Sequence, residues 1–407
     1  MLSFLDSFGI EPQMAHKARL LGRADVGPPS PRHDRSRHLR MLTAADRTQS
    51  IQLATGRLDI AVDKAAWPLD SLCAFAAREN PRRGFLVVSR VLGRHLPATP
   101  QMMRQSARDL AARLPDDLPG PVLVVGLAET AVCLAQTVHE EFRLATGRVD
   151  IHFLHSTRQQ LDHPLLCRFE EPHSHASAHL IYRPALPEPR SLVLVDDEIS
   201  TGTTLCNLAQ ALATAWPRIE AMAVATLTDW SAGKAWQARM PRPTCIAALL
   251  RGRMEWTQET TTVLNSAFDT AAASLGRMAT HRNFGRLGLD RPVLPEPDTA
   301  VPEILGPLRI IGTGEFTYPP FLLAERLAEE GHDVVVQATG RSPALPGAAM
   351  ATKLRFADNY GTGVPNYLYN ADRADGRANW IAHETGAATI DPGLIAALRA
   401  ELIGWTA

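Results

Sequence analysis

Cysteine is scarce and scattered in this chain. Cys73, Cys133, Cys167, Cys206 and Cys245 are the five among 407 residues, and no two form a CxxC pair. That argues against a zinc ribbon or a disulfide scaffold and suits a reducing cytoplasm. Neither sign of charge dominates, since 42 basic residues stand against 43 acidic ones for a formal net charge of −1. No overall field then favours nucleic acid or an anionic membrane, while a small charged ligand needs only local charge. No apolar run approaches the roughly 18 residues of a membrane span. The opening MLSFLDSFGIEPQ carries Asp6 within its apolar part and lacks a basic flank, so it makes a poor signal peptide. What remains is ordinary globular composition, 45% hydrophobic and 21% charged, at a length that suits two domains.

Proline and polar runs divide the chain. Residues 1–45 include GPPSPRHDRSRHLR, with little to bury, and read as a mobile tail; Met41 is an alternative natural start. A second break, GLDRPVLPEPDTAVPE, contains Pro292, Pro295, Pro297 and Pro302 and reads as an extended linker over 288–305. Between them lies a body, 46–287, and after them a smaller module, 306–407.

The body alternates strand and helix patterns. GFLVVSRV (84–91), PVLVVGLAE (121–129), VDIHFLHS (149–156), SLVLVDD (191–197) and AMAVATLTDW (221–230) are apolar without alternation, and helical patterns cover 130–145 and 203–215. Continuous apolar strands between amphipathic helices predict a parallel sheet covered on both faces, an α/β fold. The ligand site of such a sheet lies at the carboxyl ends of its strands.

LVLVDDEISTGTT occupies one such end. Four apolar residues meet Asp196, Asp197 and Glu198, then Ser200, Thr201, Gly202, Thr203 and Thr204 lead into a helix. Backbone N–H groups, hydroxyl donors and the positive end of a helix dipole suit a phosphate monoester, and Gly202 permits close approach or positive φ. The two aspartates suit a diol and can hold a metal through water. Phosphate and diol recognition side by side describe a ribose 5-phosphate. The rival reading is a helix merely capped by Ser200 or Thr201, which accounts for one hydroxyl and not for four plus paired acids.

One strand-loop-helix unit upstream, VVGLAETA places Gly126 at a strand end and Glu129 and Thr130 at a helix start. Residues 155–184 then form a long, basic connection with Arg158, Arg168, Arg183, His155, His163, His173, His175 and His179. The spacing of His173, His175 and His179 also fits a metal site; a cationic lid over a leaving diphosphate is the preferred reading.

Together these stretches resemble the type I phosphoribosyltransferases. The resemblance implies their parallel-sheet fold with a hood. It also implies that Asp196 and Asp197 bind the ribose 2- and 3-hydroxyls, that Ser200 to Thr204 cradle the 5-phosphate, and that Gly126, Glu129 and Thr130 belong to a diphosphate loop. Arg158, His173 and His175 would then belong to the hood that closes over the diphosphate. Glu198 stands where an apolar residue is usual, and Ser200 where some purine enzymes carry an acid. GFLVVSRVLGRHLP, VVGLAETA, EEPHSHASAH and DDEISTGTT look closer still to the orotate-phosphoribosyltransferase-like enzymes encoded with bacterial tellurium-resistance clusters. Those chains typically continue into a domain named for a Thr-Arg-Ser-Pro motif. Thr339-Gly340-Arg341-Ser342-Pro343 matches it with an inserted glycine, and FADNYGTGVPNYLYN (356–370) resembles the same domain.

The expected activity joins a nucleobase-like acceptor to phosphoribosyl diphosphate, with Mg²⁺, releasing diphosphate. The rivals are a catalytically silent nucleotide-sensing regulator and the reverse reaction. Neither nucleic acid nor membrane is an expected partner; the assembly is left open, a homodimer among the options. In the C-terminal module, a smaller α/β domain, Gly314 and Glu315 follow one strand and Arg341 and Ser342 the next. That placement predicts a second ligand site of the module's own.

Overall fold

The computed structural model describes residues 48–78, 83–170, 178–231, 235–259 and 283–406. His173 and His175 lie outside the described residues, as does the tail over 1–45. Seventeen strands and six α-helices are described: β1 Thr48–Leu53, β2 Gly56–Ala65, α1 Leu69–Leu72, β3 Cys73–Ala77, β4 Phe85–Ser89, α2 Pro100–Ala111, β5 Val122–Gly126, α3 Val132–Thr146, β6 Ile151–His155, β7 Leu165–Glu170, β8 Ala178–Tyr182, β9 Ser191–Ile199, α4 Thr203–Ala215, β10 Ala221–Asp229, β11 Thr244–Gln258, β12 Leu308–Gly312, α5 Tyr318–Glu329, β13 Val334–Ala338, β14 Lys353–Ala357, β15 Pro365–Tyr369, β16 Ala378–His383, α6 Pro392–Leu398 and β17 Glu401–Gly404.

The main sheet runs β1-β2-β11-β10-β9-β5-β6. Its five strands from β11 to β6 are parallel, as the apolar runs require. Successive residues of β9 serve opposite faces. Val193 and Val195 pack with Leu110 of α2 and Leu134 and Val138 of α3; Leu192 and Leu194 pack with Leu205, Leu208 and Leu212 of α4. Both faces are covered, so the strand shows no polar alternation.

Two features depart from the sequence reading. The edge of the sheet is antiparallel: β2 pairs with the distal half of β11, and β1 with β2. Leu58, Ile60 and Val62 point inward at alternate positions of β2, the period-two pattern of a half-covered strand. The strand expected at 84–91 does form, as β4, but it pairs antiparallel with β3 outside the main sheet. Among the described residues, no helix is long and apolar enough to cross a membrane.

The C-terminal module has its own four-stranded parallel sheet, β13-β12-β16-β17, with β14 and β15 as a separate antiparallel pair. Its core is continuous with the body: Phe316, Phe321 and Trp405 share a cluster with Met103 of α2 and Cys133 of α3. The outer edge of β13 is capped by the body, since the Ala98 and Val336 backbones exchange hydrogen bonds of 3.0 and 2.8 Å. That pairing protects an otherwise open strand edge. Residues 288–305 have no regular element but are tied at both ends, by Leu289 to Phe153 and by Asp298 to Gly404.

Candidate functional site

β9 runs to Ile199, two residues beyond the expected strand end, so all three acids lie within it. Asp196 pairs with Thr226 of β10 and Glu198 with Thr228. Glu198 has a specific partner: Arg83 Nη2 lies 2.5 Å from its Oε1. Asp197 donates its backbone N–H to Asp196 Oδ1 at 3.0 Å. Burial, and then the charge of Glu198, push the Asp197 carboxyl up to about 6. The three adjacent acids are therefore not equivalent. One is neutralised by an arginine, and one holds its proton unusually tightly.

The loop after β9 turns through Gly202 at φ +69° into α4. A Cβ at Gly202 would overlap the Trp236 ring, which is fixed by Nε1 donating to Ser231 Oγ at 2.8 Å. Only glycine satisfies both the dihedral and the contact. Thr201 Oγ1 lies 3.1 Å from Thr203 Oγ1 and accepts from the Thr203 amide, the first of α4, at 3.4 Å; Gly202, the residue at the N-cap, has no side chain to add. Thr201 thus takes one amide, as the capped-helix alternative expects, and that single long contact leaves Ser200, Thr204 and the paired acids without a role. Residues 200–204, at the start of the helix, line one cleft.

That cleft has a volume of about 240 Å³. It brings together Asp196, Asp197 and the 200–204 loop with Leu127 to Thr130, Arg158, His179, and Arg341 and Ser342 of the C-terminal module. In the 127–130 loop, the Leu127 amide is taken by Val195 O at 3.1 Å and the Ala128 amide by Ser156 Oγ at 2.9 Å. Glu129 and Thr130 remain as its cleft-facing polar residues. Gly126 is corrected: it is buried in β5 and does not line the cleft, and a Cβ there would sit 2.6 Å from the Ala135 Cβ. Its small size serves the packing of α3 on β5.

The hood segment forms the antiparallel pair β7 and β8. It rests on α4, where Asn207 Nδ2 donates to Glu170 O at 2.9 Å. His179 stacks on Phe169 and shares a 2.9 Å hydrogen bond with Ser156 Oγ. His155, expected among the hood cations, is instead a core residue. Burial, and then Arg286, hold it down to about 4, and its ring nitrogens face Ser156 O and Phe284 O.

The separate C-terminal site is also corrected. The Gly314 amide is satisfied by Thr339 Oγ1 at 2.9 Å. Glu315 is fully buried; it accepts from Thr157 Oγ1 at 2.6 Å, from the Arg158 amide at 2.7 Å and from Arg286 Nε at 3.1 Å. Burial alone would raise its carboxyl; Arg286 and these donors outweigh burial and hold it below the ordinary value. Arg286 also grips Glu384 through both Nη groups, at 2.8 and 2.7 Å. Asp358, Asn359 and Tyr360 are spent on local structure: Asp358 caps the Tyr360 and Thr362 amides, Asn359 donates to Thr385, and Tyr360 OH donates to Glu384 at 2.7 Å.

Sequence reading passed over the hairpin wall of the cleft. Arg78 and Arg83 belong to the described part of the β3–β4 connection, and Arg94 and His95 follow β4. Arg94 is 5% exposed. Its guanidinium donates to Glu129 O at 2.7 Å, to Gly314 O at 2.8 Å and to Thr339 O. Burial, and then Arg94 and Arg78, hold His95 down to about 3, so it is neutral. The available signal was the arginine-rich run around 78–94 in a body otherwise balanced in charge.

None of the curated proteins matches the chain. Solved structures share parts of its length. They include an adenine phosphoribosyltransferase from Rhodothermus marinus, 16% identical over 44% of this chain and 95% of its own, TM-score 0.31. APRTase from Giardia lamblia, complexed with 9-deazaadenine, is 16% identical over 46% and 98%, TM-score 0.33. Orotate phosphoribosyltransferase from Aeropyrum pernix is 18% identical over 41% and 79%, TM-score 0.25. The family matches are the decisive ones: phosphoribosyl transferase over residues 72–253, and the TRSP domain found C-terminal to it over 303–398. The chain is thus a phosphoribosyltransferase, a member of the family whose transferase domain is followed by a TRSP domain.

Proposed function

We propose that the cleft binds phosphoribosyl diphosphate and transfers its phosphoribosyl group to a nucleobase-like acceptor. The observation that carries this reading is the convergence of Asp196, Asp197 and the hydroxyl-rich 200–204 loop with Glu129 and Thr130 in one cleft. In this reading the hydroxyls and amides of 200–204 hold the 5-phosphate, and Asp196 and Asp197 accept from the ribose hydroxyls. Thr130 and the arginines face the diphosphate, and residues 46–287 form the transferase body, joined through 288–305 to the C-terminal module. An acceptor nitrogen forms the new bond to C1 as the C1–O bond breaks and its electron pair leaves with diphosphate; the acceptor's N–H proton is released. The chain's contribution is orientation and fixed charge where negative charge develops on the leaving group.

The donors around the cleft suit Mg²⁺, because Asp196, Asp197, Glu198 and Glu129 offer carboxylate oxygen and no thiolate. Among the described residues no group of three or more side chains forms a metal cage. That suits an ion that keeps its waters and shares the ligand's phosphate oxygens, held indirectly by Asp196 and Asp197. When bound, it would neutralise diphosphate charge. The resemblance to the tellurium-resistance-cluster enzymes supports a nucleoside-like product tied to tellurite or stress resistance. Five unpaired cysteines favour a reducing, cytoplasmic setting.

The test is diphosphate release from phosphoribosyl diphosphate, Mg²⁺ and a panel of bases. Asp196→Asn and Asp197→Asn should remain folded and lose at least about tenfold in turnover, the low end of what positioned groups contribute. Wild-type rates in both variants would refute the ribose assignment.

A further inference from the structure

The C-terminal module reaches into the transferase cleft. Arg341 and Ser342 follow β13 and line the cleft beside the 127–130 loop. Arg341 Nε lies 2.9 Å from Glu129 Oε1, and among the described residues neither of its Nη groups has a hydrogen-bond partner. The Ser342 hydroxyl is shut off from solvent and has no partner, although its carbonyl is fixed by Tyr369 OH at 2.7 Å and by the Ala344 amide at 3.1 Å. An orphaned hydroxyl on a braced backbone, next to a guanidinium with its fork open, is a built site for a polyanion.

The surrounding geometry holds this site in place. The glycine inserted in the Thr-Arg-Ser-Pro stretch, Gly340, pairs with Tyr367 through hydrogen bonds of 3.0 and 2.8 Å, and its Cα side faces Arg94. Arg94 in turn joins the Thr339 and Gly314 carbonyls to that of Glu129. Downstream, Leu345 N donates to Ala77 O at 2.9 Å, so the segment after Ser342 is pinned to β3. The module is thereby tied to the diphosphate-side loop and to the hairpin wall at once.

We infer that Arg341 and Ser342 bind the diphosphate of phosphoribosyl diphosphate, so that the transferase site is shared between the body and the C-terminal module. This rests on the phosphoribosyl-diphosphate reading above. Glu129 holds Arg341 at the cleft wall; a diphosphate arriving beside it offers the unused Nη donors oxygen acceptors and gives the Ser342 hydroxyl its partner. Arg341 is a binding residue in this scheme, and Glu129 positions it. The site is assigned to the diphosphate and not the sugar, because Arg341 sits against the 127–130 loop, read above as the diphosphate side, and not against the 200–204 loop, read as the 5-phosphate side.

Full-length wild type, Arg341→Ala, Arg341→Lys and Ser342→Ala would be titrated calorimetrically, with Mg²⁺, against phosphoribosyl diphosphate, inorganic diphosphate and ribose 5-phosphate, with melting temperature as the folding control. Losing a charged bidentate contact should weaken the two diphosphate ligands about tenfold to a hundredfold. Ribose 5-phosphate should change less than about twofold. Arg341→Lys should fall between, because it keeps the charge and loses the fork. Ser342→Ala removes a hydroxyl that bonds nothing in the protein, so it should fold normally and weaken the diphosphate ligands severalfold. Folded Arg341→Ala with wild-type diphosphate affinity would overturn the inference. Should Arg341→Ala not fold, wild-type affinity in both Arg341→Lys and Ser342→Ala would overturn it equally. Wild-type protein that binds none of the three ligands would instead overturn the phosphoribosyl-diphosphate reading itself.

Discussion

Asp197→Asn should make the protein more stable at the same time as it makes it a poorer catalyst. Asp197 sits half-buried on the cleft floor beside Glu198, and burial with that neighbouring charge raises its carboxyl to about 6 from the ordinary 3.8. The native state therefore holds this proton more tightly than the unfolded chain does. Its stabilising contribution is full below about 4 and is lost as pH rises through about 6. At pH 8 the wild type keeps an ionised carboxylate that the fold disfavours, whereas asparagine has nothing to ionise. The gap between about 6 and 3.8, at about 1.4 kcal/mol per pH unit, sets a ceiling of about 3 kcal/mol. Because the side chain is only half-buried, solvent screening reduces this to about 1–2 kcal/mol. Urea unfolding of both proteins at pH 8, 6 and 4.5 measures the difference. The variant should lead at pH 8, lead by slightly less at pH 6, and keep only about a third of its advantage at pH 4.5. No gain at pH 8, or a gain of equal size at all three values, would refute the account of why this acid is perturbed.

Two further substitutions test the framework. Gly202→Ala should cost about 2–4 kcal/mol, from a left-handed backbone of about 1–2 kcal/mol and overlap with the Trp236 ring, and should weaken ribose 5-phosphate binding; thermal melts and titration read the two effects separately. Arg286→Met should destabilise by about 3–5 kcal/mol in denaturant, because it leaves Glu315 and Glu384 charged and buried, and Arg286→Met combined with Glu315→Gln and Glu384→Gln should recover much of that loss.

Much of the fold could be read in the chain because its signals are local. The apolar runs at 122–126 and 191–195 name the central strands, and the small residues after Gly202 name the start of α4. The antiparallel edge was harder, because the partner of a strand is a non-local fact. Phe85 to Ser89 is as apolar as a central strand, yet it pairs with Cys73 to Ala77 and forms a wall of the cleft. The same limit applies to the site. Asp196, Asp197 and the hydroxyl loop lie together in sequence and so announce themselves. Arg94 meets Gly314 across 220 positions, and Arg286 meets Glu384 across 98, distances over which no spacing rule operates. Gly126 and His155 show the opposite error: each stands in a motif-like place, and each is used for packing.

The buried arginines explain why the C-terminal module is not a passenger. Arg94 comes from the body, yet two of its three acceptors are carbonyls of the module, and the third is the carbonyl of Glu129 in the cleft. Arg286 precedes the linker, yet both of its carboxylate partners belong to the module. One of those partners, Glu315, also accepts from the amide of Arg158, whose side chain lines the cleft. Removing the module would thus take both carboxylates from Arg286 and two of its three carbonyl acceptors from Arg94, and would expose Met103, Cys133 and Ala98 of the shared core. Each such loss is large against the net stability of a protein, which is about 5–15 kcal/mol. The loops that shape the cleft would then lack the contacts that hold them. Arg94, which bonds the Glu129 carbonyl, would lose the module carbonyls that fix its guanidinium, and the Arg158 amide would lose the acid that fixes it. The position of the cleft loops is therefore set by the same interactions that keep the two sheets together.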